Sequence, residues 1–419
     1  MSKILGITAR EILDSRGIPT IETSVKTNSG TSVSSVPSGR SKGIYEALEL
    51  RDGGKRYNGQ GVLKAIKNVN STIAKKLIGK NPEIADEILL SIDDTPNKIK
   101  LGANAVLSAS MACCRAAALE NKVPLCRHIA SLFDTKKMNL PTPSFNIING
   151  GKHAGNKLDI QEYMLMPTGA KTFSEAMQIG AEIYSELKEL LRKNYGKSAV
   201  NIGDEGGFAP QLECYEAPLD LIMDAVQNKG YYKKIKLAID AAATSFYRNG
   251  KYYLEGTELD SNELIDKYAE MTKAYPLTSI EDPFYENDFD CFAKLNKKLN
   301  KKTNNIQTQI VGDDLLCTNP LRLQKAIILD SCNCLLLKMN QIGTVTEALD
   351  AARIAMKQGW KVMVSHRSGE TNDDFIADLA VGIGCGQIKA GAPCRGERLA
   401  KYNRILKIEE ETKLKYSNN

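Results

Sequence analysis

Six short apolar runs in the second half of the chain each stop at an ionisable residue. KIKLAID ends at Asp240, LTSIE at Glu281, TQIVGD at Asp313, CLLLK at Lys338, KVMVSH at His366 and GQIK at Lys389. Three carboxylates brought to one place, Asp240, Glu281 and Asp313, form an oxygen cage suited to Mg²⁺, which keeps waters and substrate oxygens in its octahedron. Taken singly, each acid reads by default as a solvated strand end; three in phase across βα units favour the metal. Lys338, after three leucines, is placed to lose its charge by desolvation and so become a base, although a lysine there can also snorkel to water. Lys389 offers a second such base or a fixed cation for an anionic substrate. Ser365-His-Arg-Ser368-Gly combines a bidentate anion binder, Arg367, with the Ser368 hydroxyl, a pairing suited to phosphate. Gly203-Asp-Glu-Gly-Gly207 sets Glu205 among flexible glycines as a candidate general acid, the alternative being a glycine-rich turn. Asp204, Asp282 and Asp314 read as supporting neighbours.

To bring those ends together, the runs must be strands of one barrel. They recur a few tens of residues apart, enough for βα units, and convergent functional groups at strand ends mark the C-terminal face of an α/β barrel. The roughly 280 residues beyond residue 140 match the about 250 typical of such barrels. Helical periodicity covers 172–194, with capping-box spacings at Thr172/Glu175 and Thr344/Glu347 and a cap at Asn319 before Pro320. This alternation predicts a parallel sheet. Residues 1–140 read as a small α+β domain, with strand-like runs in 3–13 and 19–37 and helices near 61–78 and 102–121. Leu140-Pro-Thr-Pro143 reads as the linker, and the barrel domain as 141–419.

Composition narrows the chemistry. With 419 residues, 42% hydrophobic and 25% charged, the chain suits a soluble globular protein of two or three domains. No apolar run approaches a bilayer span, and the first residues show neither a secretory h-region nor an anchor, so the expectation is cytoplasmic. A net charge of +6 without aromatic platforms argues against nucleic acid, and Lys294–Lys302 reads as a solvated helix face. Ten scattered cysteines without a C-x₂-C pair suggest reduced thiols, and three histidines are too few for a multi-histidine metal site. The Gly382–Gly386 run lacks the third glycine of a dinucleotide fingerprint.

Longer strings carry a resemblance: Asp14-Ser-Arg-Gly17, Tyr45-Glu-Ala-Leu-Glu-Leu-Arg51, Leu101-Gly-Ala-Asn104, Gly203–Gly207, Ser279-Ile-Glu-Asp-Pro-Phe284, Leu335–Gly343 and Ser365–Glu370. Over nearly its whole length the chain resembles the enolase family. A second barrel strand read as Leu158-Asp-Ile-Gln-Glu162 lacks the Lys-x-Lys base of related racemases and cycloisomerases. The resemblance implies reversible, Mg²⁺-dependent dehydration of 2-phosphoglycerate to phosphoenolpyruvate, a step of glycolysis and gluconeogenesis. By resemblance Lys338 takes the C2 proton, while Glu205, assisted by Glu162, protonates the departing hydroxyl. Asp240, Glu281 and Asp313 would hold the first Mg²⁺, and Ser41, on a mobile loop spanning 37–43, the second. Lys389 would grip the substrate carboxylate, Arg367 and Ser368 the phosphate, with His153 and His366 closing over it. Glu162, Glu281, Asp313 and Ser41 are also implied to meet substrate, and His366 belongs to the catalytic group.

Departures accompany the resemblance. The loop reads Ser38-Gly-Arg-Ser-Lys-Gly43 where the family has Ser-Gly-Ala-Ser-Thr-Gly, adding Arg40 and Lys42; Lys152, Asp159, Ser245, Ala390 and Gly396 also replace usual residues. Extra cations near an anionic substrate predict altered Mg²⁺ dependence. The family's homodimer contact maps to Glu22 and to Lys407 in place of an arginine, which loses the bidentate fork. Two other readings stay open: a weakly active or inactive paralogue kept for binding, and a barrel enzyme for another 2-hydroxy acid phosphate.

Overall fold

The computed structural model describes residues 3–40, 43–301 and 307–417. Ser41 and Lys42 lie outside the described residues.

Strands β1 (Gly6–Leu13), β2 (Pro19–Thr27) and β3 (Gly30–Ser35) form an antiparallel sheet. Ile21, Thr23 and Val25 alternate inward on β2, the period-two pattern of a half-buried strand. Helices α1 (Leu63–Asn68), α2 (Ala74–Leu77) and α3 (Ala85–Ile92) follow, α1 and α2 joined by a π-helical turn within the 61–78 expectation. Next come α4 (Ala103–Glu120) and α5 (Leu125–Phe133). α4 is buried on nearly all sides, and its Ala, Ser and Cys side chains explain why it can be. Thr23 donates to Ser108 at 2.8 Å on one side, while Ser110 accepts the amide of Val345 at 2.9 Å on the barrel side.

The remaining strands are β4 (Thr142–Asn149), β5 (Glu162–Met166), β6 (Lys236–Asp240), β7 (Tyr247–Arg248), β8 (Lys251–Leu254), β9 (Thr257–Leu259), β10 (Leu277–Glu281), β11 (Gln309–Gly312), β12 (Cys334–Leu337), β13 (Lys361–Ser365) and β14 (Gly386–Lys389). Eight close into a barrel in the order β10-β11-β12-β13-β14-β4-β5-β6; β7–β9 make a separate small sheet. The helices α6 (Phe173–Tyr195), α7 (Ala217–Asn228), α8 (Ser261–Ala274), α9 (Phe289–Leu299), α10 (Pro320–Leu329), α11 (Val345–Lys357), α12 (Phe375–Ile383) and α13 (Gly396–Thr412) connect or cover these strands. Thr172, Thr344 and Asn319 each accept backbone N–H bonds as N-caps, as their spacing predicts.

Three expectations are corrected. The barrel is not wholly parallel: β5 pairs antiparallel with both β4 and β6. A parallel return needs a crossover long enough for a helix, whereas between β4 and β5 there is only the short turn Gly151–His153. The second barrel strand is Glu162–Met166 rather than 158–162. Leu158 and Ile160 are buried with strand-like alternation, but their stretch pairs with the Gly150–Gly151 turn, through Gly151 N–H to Leu158 O at 2.7 Å. Pro143 is not in a linker; it pairs with Ile388 in the barrel, and the β4–β5 register begins only at Phe145, so its missing donor is tolerated on that side.

Candidate active site

Each barrel strand delivers a group to one mouth. β6 and β10 end on Asp240 and Glu281, which stand opposite each other in register. Asp313, Lys338 and His366 are the first residues after β11, β12 and β13, and Lys389 is the last of β14. Because β5 runs backwards, its first residue, Glu162, reaches the same mouth. His153 comes from the turn after β4, and Glu205 from the Gly203–Gly207 loop between α6 and α7. That loop is tightly packed rather than flexible: a Cβ at Gly203 would lie 2.5 Å from His153 O, and Gly206 has φ +87°.

The charges are paired inside the barrel. Lys389 Nζ lies 2.8 Å from Glu162, 2.8 Å from Glu281 and 3.5 Å from Asp240. Lys338 pairs with Asp313 at 2.5 Å, and Gln341 donates to the other Asp313 oxygen at 2.9 Å. Burial opposes the Lys389 charge, yet Glu162 and Glu281 hold its pKa well above the ordinary lysine value. Glu281 is pushed well up by burial and by Asp240, against the pull of Lys389. Burial also opposes the Lys338 charge, but Asp313 outweighs it, so the amine is held charged and not neutralised as the sequence suggested. Burial raises Asp313 less than Lys338 and Arg367 lower it.

Beside them lies a cluster of two carboxyls and two imidazoles. His153 Nδ1 lies 3.4 Å from Glu162 and 3.6 Å from Glu205; His366 Nε2 lies 3.2 Å from Glu205. Asn146, on β4, donates to Glu205 at 3.0 Å. Burial and the neighbouring Glu205 charge raise Glu162, whereas the imidazoles of His366 and His153 overcome burial and lower Glu205.

Arg367 is gripped by both Glu46 oxygens, at 2.9 and 3.0 Å, and donates to Asn340. The Ser368 hydroxyl accepts the Arg40 amide at 2.8 Å, while the Arg40 guanidinium pairs with Asp204 at 2.9 Å. Arg40, Arg367, Ser368, Lys338, Lys389 and Glu205 line a cavity of about 20 Å³, room for little more than one water. Lys152, Asp159 and Ser245 instead line a larger cavity of about 620 Å³ beside the Gly151–Asp159 loop.

The donor set fits a hard divalent cation. Asp240, Glu281 and Asp313 supply only carboxylate oxygens, from three neighbouring strands, and the positive charge they demand is met by two lysines. Among the described residues, two tighter groupings have ligand atoms within 4.8 Å of one another: Asp282 with Asp313 and Asp314, and His153 with Glu162 and Glu205. Asp282 already accepts the amides of Asp313 and Asp314, at 3.0 and 2.7 Å, so it braces the strand end. Burial and Asp313 push Asp314 up to about 7.

Family comparison agrees with this architecture. Residues 4–129 match the family model "Enolase, N-terminal domain", and residues 137–417 match "Enolase, C-terminal TIM barrel domain". The chain belongs to the enolase family. It is therefore an enolase-type lyase built from a small N-terminal domain and a closed barrel. No described helix is long and apolar enough to cross a membrane. Residue-by-residue reading missed Glu46, Asn146 and Arg398 as neighbours of the site. Glu46 lay inside the string Tyr45–Arg51, but nothing in that string signals its partner more than three hundred residues away.

Proposed function

We propose that the chain dehydrates 2-phosphoglycerate to phosphoenolpyruvate, and the reverse, as a cytoplasmic enzyme of glycolysis and gluconeogenesis. The observation that carries this reading is the order of groups around the barrel. Lys338 follows β12 and Glu162 opens β5, strands on opposite sides of the closed ring. The carboxylates of β6, β10 and β11 fill one arc between them; His366, Arg367, Ser368 and Lys389 fill the other. A base and an acid facing each other across a bound substrate suit removal of a proton from one carbon and of hydroxide from the next.

In this reading Asp313, once engaged elsewhere, no longer holds the Lys338 pKa up; the ammonium releases a proton to solvent and the free amine accepts the C2 proton. Lys389 stands beside the substrate carboxylate, whose negative charge grows as the proton leaves. Glu162 and Glu205, with His153 and His366 around them, deliver a proton to the departing C3 hydroxyl. Arg367 and Ser368 take the phosphate, which requires Arg367 to exchange Glu46 for substrate. Asp240, Glu281 and Asp313 would hold Mg²⁺, which supplies fixed positive charge for the deprotonated carboxylate. A second Mg²⁺ at Ser41 rests on family resemblance. The small cavity implies that the Ser38–Arg40 segment, bridged to Gly369, moves to admit substrate.

We place the domain boundary at residue 140 and infer a homodimer through the small domain. A groove of about 570 Å³ lined by Asp14, Glu22, Asp373, Asp374 and Glu397, with Leu13 and Val33 exposed nearby, supports a second copy as occupant. Glu22 pairs within the chain with Arg10 at 2.6 Å, and Lys407 is 65% exposed. Sedimentation at falling concentration tests the dimer.

The activity is tested by ultraviolet absorbance of phosphoenolpyruvate formed from 2-phosphoglycerate, with Mg²⁺ and with chelator. A metal-dependent signal supports the reading. Its absence rejects dehydration and leaves a binding role.

A further inference from the structure

Arg398 lies in the first turn of α13 and is fully buried. Its Nη1 lies 2.6 Å from His366 Nδ1 and donates to Arg367 O at 2.7 Å; its Nη2 donates to Ser368 O at 2.6 Å and to Asp204 O at 3.1 Å. One guanidinium thus ties the strand end that carries His366 to the loop that carries Glu205. Its stem fits because position 391 is glycine: a Cβ there would lie 2.8 Å from Arg398 Cδ, and the backbone has φ +85°.

A guanidinium has five donors and no acceptor. His366 Nδ1 must therefore present its lone pair to Arg398. A neutral imidazole then carries its one proton on Nε2, and Nε2 faces Glu205 Oε2 at 3.2 Å. The same carboxylate oxygen receives the Asn146 amide. Burial, helped by the Arg398 and Lys389 charges, lowers His366 to about 3, so the neutral ring is the relevant form. With the other tautomer, a ring lone pair would face the carboxylate lone pairs and push Glu205 away.

We propose that Arg398 is a positioning residue which fixes the Nε2–H tautomer of His366 and, through it, the orientation of the Glu205 carboxyl. The catalytic half of this inference rests on the dehydration reading; the tautomer half does not.

The chain's three histidines make the test tractable by ring ¹⁵N NMR of the full-length protein, with His366→Gln to assign the signal. The expected wild-type pattern is an unprotonated Nδ1 and a protonated Nε2 on His366. A protonated Nδ1 overturns the proposal without need of any variant. Arg398→Met should scramble the tautomer and lower kcat by on the order of tenfold with little change in KM, short of the about 10²- to 10⁴-fold for losing an acid itself. Arg398→Lys, which restores one donor, should recover part of both. A folded Arg398→Met protein with an unchanged tautomer, or with a scrambled tautomer and undiminished kcat, overturns the positioning role. If wild type forms no phosphoenolpyruvate yet the tautomer follows Arg398, the dehydration reading alone fails.

Discussion

Lys338 and Glu162 belong to strands four places apart in a closed ring of eight, so the barrel sets them face to face across its mouth. Neither is free to act as it stands: Lys338 is paired to Asp313, and Glu162 to Lys389. Any ligand entering the mouth must compete with these internal partners.

Base and acid should separate kinetically. Lys338→Ala should lower dehydration by about 10²- to 10⁴-fold and abolish exchange of the substrate C2 proton with D₂O, followed by ¹H NMR. Glu205→Gln should lower dehydration similarly while leaving that exchange measurable. Equal loss of both signals in the Glu205 variant would remove it from the acid role.

Chelation should abolish turnover, and Glu281→Gln should weaken Mg²⁺ binding by isothermal titration. Removing one of three carboxylates subtracts a full charge from a hard-cation site. Unchanged Mg²⁺ affinity would place the metal elsewhere, the Asp282–Asp313–Asp314 group being the next candidate.

Arg40 holds Asp204 beside the acid loop, with its side chain 52% exposed. An ion pair that exposed contributes no more than about 1 kcal/mol, so Arg40→Ala should barely change the denaturation midpoint. Arg40→Ala with Lys42→Thr should nonetheless shift the Mg²⁺ dependence of turnover. Kinetics indistinguishable from wild type would show that the altered loop is neutral.

Glu255, on the rim of the larger cavity, is pushed up to about 7 by burial and by the Glu216 and Asp159 charges. Its unfolded value is about 4.3. Between these values the folded state binds more protons than the unfolded one, so this group's contribution to stability falls as pH rises through that window. Thermal melts should show Glu255→Gln gaining on wild type toward pH about 8 and matching it near pH about 4. A difference constant with pH contradicts this.

Gly180 lies within α6, where alanine would gain about 1 kcal/mol of helix propensity. Its Cβ would sit 2.4 Å from the Phe145 ring, which is itself packed edge-to-face on Tyr402 at 5.1 Å. Overpacking of about 1–3 kcal/mol exceeds the gain, so Gly180→Ala should lower the urea midpoint. A higher midpoint would mean that the ring relaxes freely.

The local readings were legible in the sequence because they depend on neighbours in the chain. Period-two runs ending in Asp240, Glu281, Asp313, Lys338, His366 and Lys389 lie at the mouth, and Thr172, Thr344 and Asn319 cap their helices. The reversal of β5 was written only indirectly, in a β4–β5 connection with no helix, and the alternation of Leu158, Ile160 and Glu162 drew attention to the wrong stretch. What the sequence by itself determined was the kind of groups: carboxylates, lysines and an arginine–serine pair delivered to one barrel face. Tertiary structure alone decided the charge state of those groups. Lys338 is charged because Asp313 reaches it, Arg367 is held by Glu46 from the small domain, and His366 takes its tautomer from Arg398. Those contacts join distant parts of the chain inside a low-dielectric interior, where a single neighbour decides which group carries the proton.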